Sequence, residues 1–445
     1  MCEKNFPPDF LWGCSTASYQ IEGAVDEDGR GLSIWDDFCR MPGKIADGSD
    51  GSGACDSYHR YGEDISLLKS LNVGAYRFSI AWPRIQPDGK GAPNAKGLDY
   101  YSRLVDALLE ADIEPWVTLY HWDLPLGLER EGGWRERDTA FRFEEYASIV
   151  YRHLGARVKH WASLNELWCS AFLGYRDGEH APGMRDGGAA FKAVHHLLLA
   201  HGLADRSFRQ SGLEGEFGII INPDAPRPAT RAPGDADAAR RASLERTALW
   251  LDPLYGRGYP KEYMDATGAV FPIETGDMEI IASPLDFIGI NYYGENAVSA
   301  APKGPENQLG YVAAKTWQEK TEMGWDVVPQ GLRRILGFIA KEWSPRAFYV
   351  TENGAAFSDA SCDSGRIRDT KRIEYFRGHF KACSDAIGDG VPLKGYFAWT
   401  LMDNFEWACG YSRKFGIVAV DPHTFVRTPK DSFYYYRDVI AGYEL

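Results

Sequence analysis

Tyr349-Val350-Thr351-Glu352-Asn353-Gly354 decides how this chain is read. Apolar β-formers lead into a carboxylate, and an Asn-Gly pair then turns the backbone. The stretch predicts a buried strand that presents Glu352 at its C-terminal tip. A second strand of the same kind ends in His160-Trp161-Ala162-Ser163-Leu164-Asn165-Glu166-Leu167-Trp168. Two glutamates, each at the end of a short apolar strand, become chemically interesting only if a scaffold turns them toward one another.

Outward from these two stretches, the chain alternates between period-2 and period-3.6 patterns. The apolar run 10–17 leads to Ser18-Tyr19-Gln20-Ile21-Glu22-Gly23, read as a strand and a polar loop. Further strands are predicted over residues 75–80, 115–120, 160–164, 217–222, 286–293, 347–351 and 393–401. Helical spacing fills the intervals, over about 57–71, 98–111, 139–153, 191–210, 236–249, 330–342 and 370–386, and a last helix closes near Ile440. Residues 42–53 are rich in Gly, Asp and Ser, but they follow no strand and lack a phosphate-loop Lys-Ser/Thr, so they read as a loop. Eight strand–helix alternations without a dividing linker predict a single (β/α)8 TIM barrel domain over residues 1–445.

Strand ends in such a barrel face one mouth, where active sites sit. Collecting them gives Gln20, Arg77, His121, Trp122, Asn165, Glu166, Asn222, Asn291, Tyr293, Glu352 and Trp399, with Glu406 and Trp407 just beyond. The mouth is polar, lined by aromatic rings and armed with three carboxylates. Facing carboxylates are what glycoside hydrolysis requires, and aromatic faces suit sugar rings.

Composition narrows the partners. The formal net charge of -14 argues against nucleic acid and against anionic lipid. The 44% hydrophobic and 25% charged content excludes wholesale disorder. Eight scattered cysteines form no C-x-x-C pair, which predicts free thiols rather than a zinc site or a disulfide framework. No apolar run has the length of a membrane span or a signal peptide, so a cytoplasmic location is the expectation. The histidines at 195, 196 and 201 lie on a leucine-rich helix without a metal-ligand pattern and predict packing roles.

The sequence resembles glycoside hydrolase family 1, the β-glucosidase family. The resemblance is carried by F-L-W-G-x-S-T-A-S-Y-Q-I-E-G-A near the N-terminus, Y-R-F-S-I-A-W-P-R-I from Tyr76 and T-L-Y-H-W-D-L-P from Thr118. L-N-E from Leu164, G-I-N-Y-Y from Gly289, T-E-N-G from Thr351 and D-N-F-E-W from Asp403 continue it in the same order. It implies a retaining mechanism with Glu352 as nucleophile, supported by Arg77 and Tyr293, and Glu166 as general acid/base. It further implies that Gln20, His121, Asn165, Glu406 and Trp407 clamp the glycone hydroxyls, with Trp399 as the floor, and that Trp122, Asn291 and Tyr293 also bind substrate. Trp325 is implied as the aglycone platform; Trp168, Phe172 and Trp317 either widen it or belong to the core. The implied substrate is a small-molecule β-glycoside or oligosaccharide, with no metal or organic cofactor. A homo-oligomer is left open.

Two alternatives stand beside a β-glucosidase. A 6-phospho-β-glycosidase would need cationic phosphate contacts where this chain has Glu406-Trp407. A non-catalytic sugar-binding relative would be expected to lack one of the two glutamates. The departure from the family pattern is Leu167, where proline usually follows the acid/base; it predicts a modest effect on rate.

Overall fold

Strands buried on both faces read as near-continuous apolar runs, and the runs found in the sequence are mostly of this kind, with polar residues such as Arg77, Thr118 and Asn165 among them. In the computed structural model, which describes residues 6–304, 307–361 and 365–442, eight of them form a closed parallel barrel. They are β1 (Leu11–Ser15), β2 (Ala75–Ser79), β3 (Glu114–Tyr120), β4 (His160–Asn165), β5 (Glu216–Ile221), β6 (Phe287–Asn291), β7 (Phe348–Asn353) and β8 (Leu393–Trp399). Each strand pairs with its neighbours in chain order, and β1 closes on β8 with Leu11 opposite Gly395 and Ser15 opposite Trp399.

The predicted helices run between the strands, with ends displaced by a few residues. Ala95–Glu110, Asp138–Leu154, Gly187–Gln210 and Pro329–Trp343 are examples. Two readings are corrected. Gln20 lies on a one-turn helix, Ser18–Ile21, where a polar loop was expected after the strand, and β1 ends at Ser15. The helix expected over 236–249 starts at Pro233 and passes through a π-helical turn, Leu244–Ala248, before ending at Leu254. The histidines of Gly187–Gln210 are packed as expected. His195 meets Tyr259 Oη and Asp277, His196 Nδ1 donates to the Trp134 carbonyl, and His201 Nδ1 meets Ser163 Oγ.

One end of the barrel is plugged. Ala75, Trp116, Ala162, Ile220, Phe287, Ala347, Tyr349 and Phe397 fill its interior below the mouth. His160 stacks on Trp116 at 4.2 Å and 3°, between Glu114 at 2.8 Å and Glu216 at 3.4 Å. This plug leaves the opposite end of the barrel open to inward-facing polar side chains. No helix among the described residues is long and apolar enough to cross a membrane.

Candidate active site

Glu352 and Glu166 are turned inward by irregularities at their strand ends. Pairing of β7 with β6 slips between Val350 and Glu352, and pairing of β4 with β5 slips between Ala162 and Asn165. Such bulges re-aim a side chain at the rim of a barrel. Glu166 itself takes φ 47, and its N–H donates to the Ile220 carbonyl at 2.9 Å. Beyond Glu352, Gly354 lies so close to the Trp399 carbonyl that a Cβ would sit 1.7 Å from the oxygen. The Asn-Gly turn therefore requires its glycine.

The two carboxyls have different partners. Glu352 Oε1 accepts from Arg77 Nη1 at 2.7 Å, and its Oε2 accepts from the Tyr293 hydroxyl at 2.6 Å. Glu166 Oε1 accepts from Asn291 Nδ2 at 2.7 Å, and its Oε2 meets Cys169 Sγ at 3.0 Å. Both are buried, and burial raises the pKa of each carboxyl. At Glu352 the direct Arg77 charge opposes this, so the proton is easier to remove there. Glu166 has only neutral donors in contact and is the group that keeps its proton, with the Glu352 charge nearby.

Around the pair lies a set of fixed donors and acceptors. Arg77 Nη2 and Asn291 Nδ2 both donate to Asn165 Oδ1, at 2.7 and 3.1 Å, which fixes the orientation of that amide. Asn165 Nδ2 then donates to His121 Nε2 at 3.1 Å, so the His121 proton sits on Nδ1. Burial, helped by Arg77, lowers the His121 pKa and keeps the ring neutral. Gln20 Nε2 donates to Asn404 Oδ1, the Phe405 carbonyl and Glu406 Oε2 at 3.1, 2.9 and 3.3 Å. His121 Nδ1 and Gln20 Oε1 are buried and have no partner among the described residues. They are one donor and one acceptor awaiting a polar ligand.

Aromatic rings enclose this set. Trp399 lies nearly parallel to His121 at 5.9 Å, and Trp407 lies 5.8 Å from the same ring and 4.6 Å from Trp122. Trp122 Nε1 donates to the Asn165 carbonyl at 2.9 Å. Glu406 is pushed up to about 8 by burial, and then by the Glu352 charge. Asn291, expected among the substrate-binding residues, also has a full set of contacts within the site. Its Nδ2 serves Asn165 and Glu166 while its Oδ1 accepts from Thr351 Oγ1 at 2.8 Å, so it holds other site residues.

On the outer side, Trp325 is 37% exposed and packs 5.2 Å from Tyr293. Trp317 is 88% exposed with Lys315 over its ring. Phe172 is fully buried against Trp250, so it belongs to the core. One face of Trp168 is covered by the Arg246 guanidinium at 3.8 Å. Residues that sequence reasoning did not single out are Cys169, Asn404 and Arg246. Asn404 lies within the D-N-F-E-W stretch but was passed over for its neighbours, while no motif marks the other two: Cys169 enters through the π-helical run Cys169–Asp177, whose register differs from that of an α-helix.

What the arrangement offers is two buried carboxyls with unlike partners, one beside a guanidinium and a phenol and the other beside neutral donors, in a polar, aromatic-walled pocket. The family model of Glycosyl hydrolase family 1 matches residues 2–444, and the chain belongs to that family. It is 46% identical over 441 residues to a 1,4-beta-D-glucan glucohydrolase of Thermotoga neapolitana, covering 99% of both chains. It is 44% identical over 460 residues to a bifunctional beta-D-glucosidase/beta-D-fucosidase of Bifidobacterium breve, covering 98% of each. A solved beta-glucosidase from Thermotoga maritima in complex with glucoimidazole superposes with a TM-score of 0.96, at 45% identity and full coverage of both chains.

Proposed function

We propose that the protein is a retaining β-glycosidase acting on unphosphorylated β-D-glucosides, with β-D-fucosides and β-D-galactosides as further substrates. The observation that carries this is the asymmetry of the carboxyl pair. A guanidinium and a phenol hold Glu352, whereas neutral donors alone touch Glu166. The relatives' names support the sugar class: a glucan glucohydrolase, a glucosidase/fucosidase and a glucosidase bound to glucoimidazole.

In the first step Glu352 attacks the anomeric carbon from below the ring. The bond to the leaving oxygen breaks, Glu166 gives that oxygen its proton, and a glycosyl ester and an alcohol result. The Glu352 charge is consumed in the ester, so Glu166 is left as a carboxylate suited to act as base. In the second step Glu166 takes a proton from water, the water oxygen bonds to the anomeric carbon, and the ester opens to restore Glu352. Two inversions retain the β configuration. Asn165 has one amide hydrogen left for the sugar 2-hydroxyl, a contact that strengthens in the transition state. Gln20, His121 and Glu406 are placed for the remaining hydroxyls, Trp399 for the ring face and Trp325 for the aglycone. An alcohol in place of water would yield transglycosylation.

The six cysteines among the described residues are free, which supports a reducing, cytoplasmic setting; Cys2 and Cys362 lie outside those residues. The test is turnover of an aryl β-D-glucoside beside its 6-phosphate. Hydrolysis of the unphosphorylated compound alone is expected, because Glu406 and Trp407 stand where a phosphate would need cationic contacts. Hydrolysis of the phosphate alone overturns the reading of the pocket, and binding without hydrolysis favours a sugar-binding protein.

A further inference from the structure

Cys169 takes no part in the steps above, yet its Sγ lies 3.0 Å from Glu166 Oε2, and the residue is only 6% exposed. It is held there from two sides. Its N–H donates to the Glu166 carbonyl at 2.9 Å, and Asn222 Nδ2 donates to Sγ at 3.3 Å. Asn222 is tied in turn by Arg246, whose Nη2 donates to the Asn222 carbonyl at 3.3 Å. Asn291 occupies Glu166 Oε1, so Oε2 is the oxygen that must carry and release the proton. The thiol is the protein group that touches this working oxygen. A thiol both donates and accepts. With the Asn222 amide filling the acceptor side of the sulfur, the S–H is directed at Oε2.

We propose that Cys169 is a positioning residue for Glu166, fixing Oε2 through an S–H···O hydrogen bond and favouring the carboxylate form that activates water. This rests on the reading of Glu166 as the acid/base. Burial raises the Cys169 pKa well above that of a free thiol, so the sulfur stays protonated and keeps its donor. The other groups whose charge reaches Glu166 are Arg77 on β2, Glu352 on β7, Arg246, Glu406 and Tyr293. Asn291 on β6 and Asn165 on β4 complete its surroundings. Truncating the thiol touches none of them, so a change in Glu166 titration reports the sulfur.

The experiment compares Cys169→Ala, Cys169→Ser and Asn222→Ala with the unaltered protein. Two readouts are taken: the pH profile of kcat/KM on a nitrophenyl β-D-glucoside, and kcat on the 2,4-dinitrophenyl glucoside. The dinitrophenolate leaves without acid help, so kcat there reports attack by water. For Cys169→Ala the alkaline limb moves up by about 0.5–1 pH unit, the worth of one hydrogen bond to a charged group. Its kcat on the dinitrophenyl substrate falls by about 3–10-fold. Cys169→Ser retains a donor and stays near the unaltered values, and Asn222→Ala moves the limb the same way by less. An alkaline limb and a dinitrophenyl kcat both unchanged in Cys169→Ala overturn the proposal; if that variant does not fold, an unmoved limb in Asn222→Ala does so. Glu166→Gln is the control. Its alkaline limb must vanish, and a surviving limb would overturn the acid/base reading itself rather than the role of the thiol.

Discussion

Tyr293→Phe isolates the electrostatic support of the nucleophile. The tyrosine hydroxyl donates to Glu352 Oε2 at 2.6 Å, a short bond to a buried carboxylate. Its ring is held independently, 5.2 Å from Trp325 and 5.9 Å from Phe415, and its carbonyl accepts from the Tyr375 hydroxyl at 3.1 Å. Phenylalanine therefore removes the donor and leaves the wall. A hydrogen bond to a charged group contributes about 1.5–3 kcal/mol, and 1.36 kcal/mol corresponds to one pKa unit. The bond favours the ionised form, so its loss raises the Glu352 pKa, and the acid limb of kcat/KM moves up by about one to two pH units. At a pH below that limb kcat/KM falls by about 10–100-fold, while near the alkaline limb the loss is smaller. The assay is kcat/KM on a nitrophenyl β-D-glucoside from acid to alkaline pH. An acid limb that stays in place, with kcat/KM within about twofold throughout, would refute the reasoning that Tyr293 holds Glu352 as an anion.

Three further outcomes are expected. Glu406→Gln replaces a carboxyl placed for sugar hydroxyls by an amide of the same size and lowers kcat/KM on β-D-glucosides by about 100-fold or more, measured beside the 6-phosphate, for which no such loss applies. His160 is raised to about 9 because the Glu114 and Glu216 carboxylates, at 2.8 and 3.4 Å, favour its charged form and outweigh the lowering effect of burial, while the unfolded value is about 6.5. The folded state thus binds the proton more tightly, and this contribution of at most about 3 kcal/mol is complete below pH 6.5 and lost as pH rises through 9. Melting of His160→Phe should fall furthest below the unaltered protein near pH 6, and the gap should close at pH 10; a gap independent of pH contradicts the ion pair. Leu167→Pro should change kcat by less than about tenfold, because the Glu166 N–H to Ile220 and the Asn291 contact hold the acid/base without it. A gain of several orders of magnitude would show that the backbone after Glu166 controls the rate.

The barrel could be read because its strands, buried on both faces, leave largely apolar runs, and because helical spacing returns between them. Glu352 and Glu166 could be read because each stands at the end of such a run. Gln20 was expected in a loop because Ser18 to Gly23 is too short a polar stretch to show a helical period, although the chain turns there into the helix Ser18–Ile21. The role of Asn291 was hidden for a different reason. Its sequence position shows that it reaches the mouth, but not that its donors are consumed by Asn165 and Glu166. Cys169 and Arg246 escaped entirely because π-helical turns place them, and no simple periodicity announces such a turn. Phe172 and Trp325 are both aromatic residues in mouth segments, and only packing separates a core ring from an exposed one.

The most direct test of the mechanism is to trap the glycosyl ester. Incubation with 2,4-dinitrophenyl 2-deoxy-2-fluoro-β-D-glucoside slows both steps, but the good leaving group lets the ester form and accumulate. Mass spectrometry of the intact protein, followed by peptide mapping, should find one fluoroglucosyl group on the peptide containing Glu352. An active protein that forms no adduct under these conditions, or one labelled on any other residue, would contradict the assignment of Glu352 as the nucleophile of a retaining enzyme.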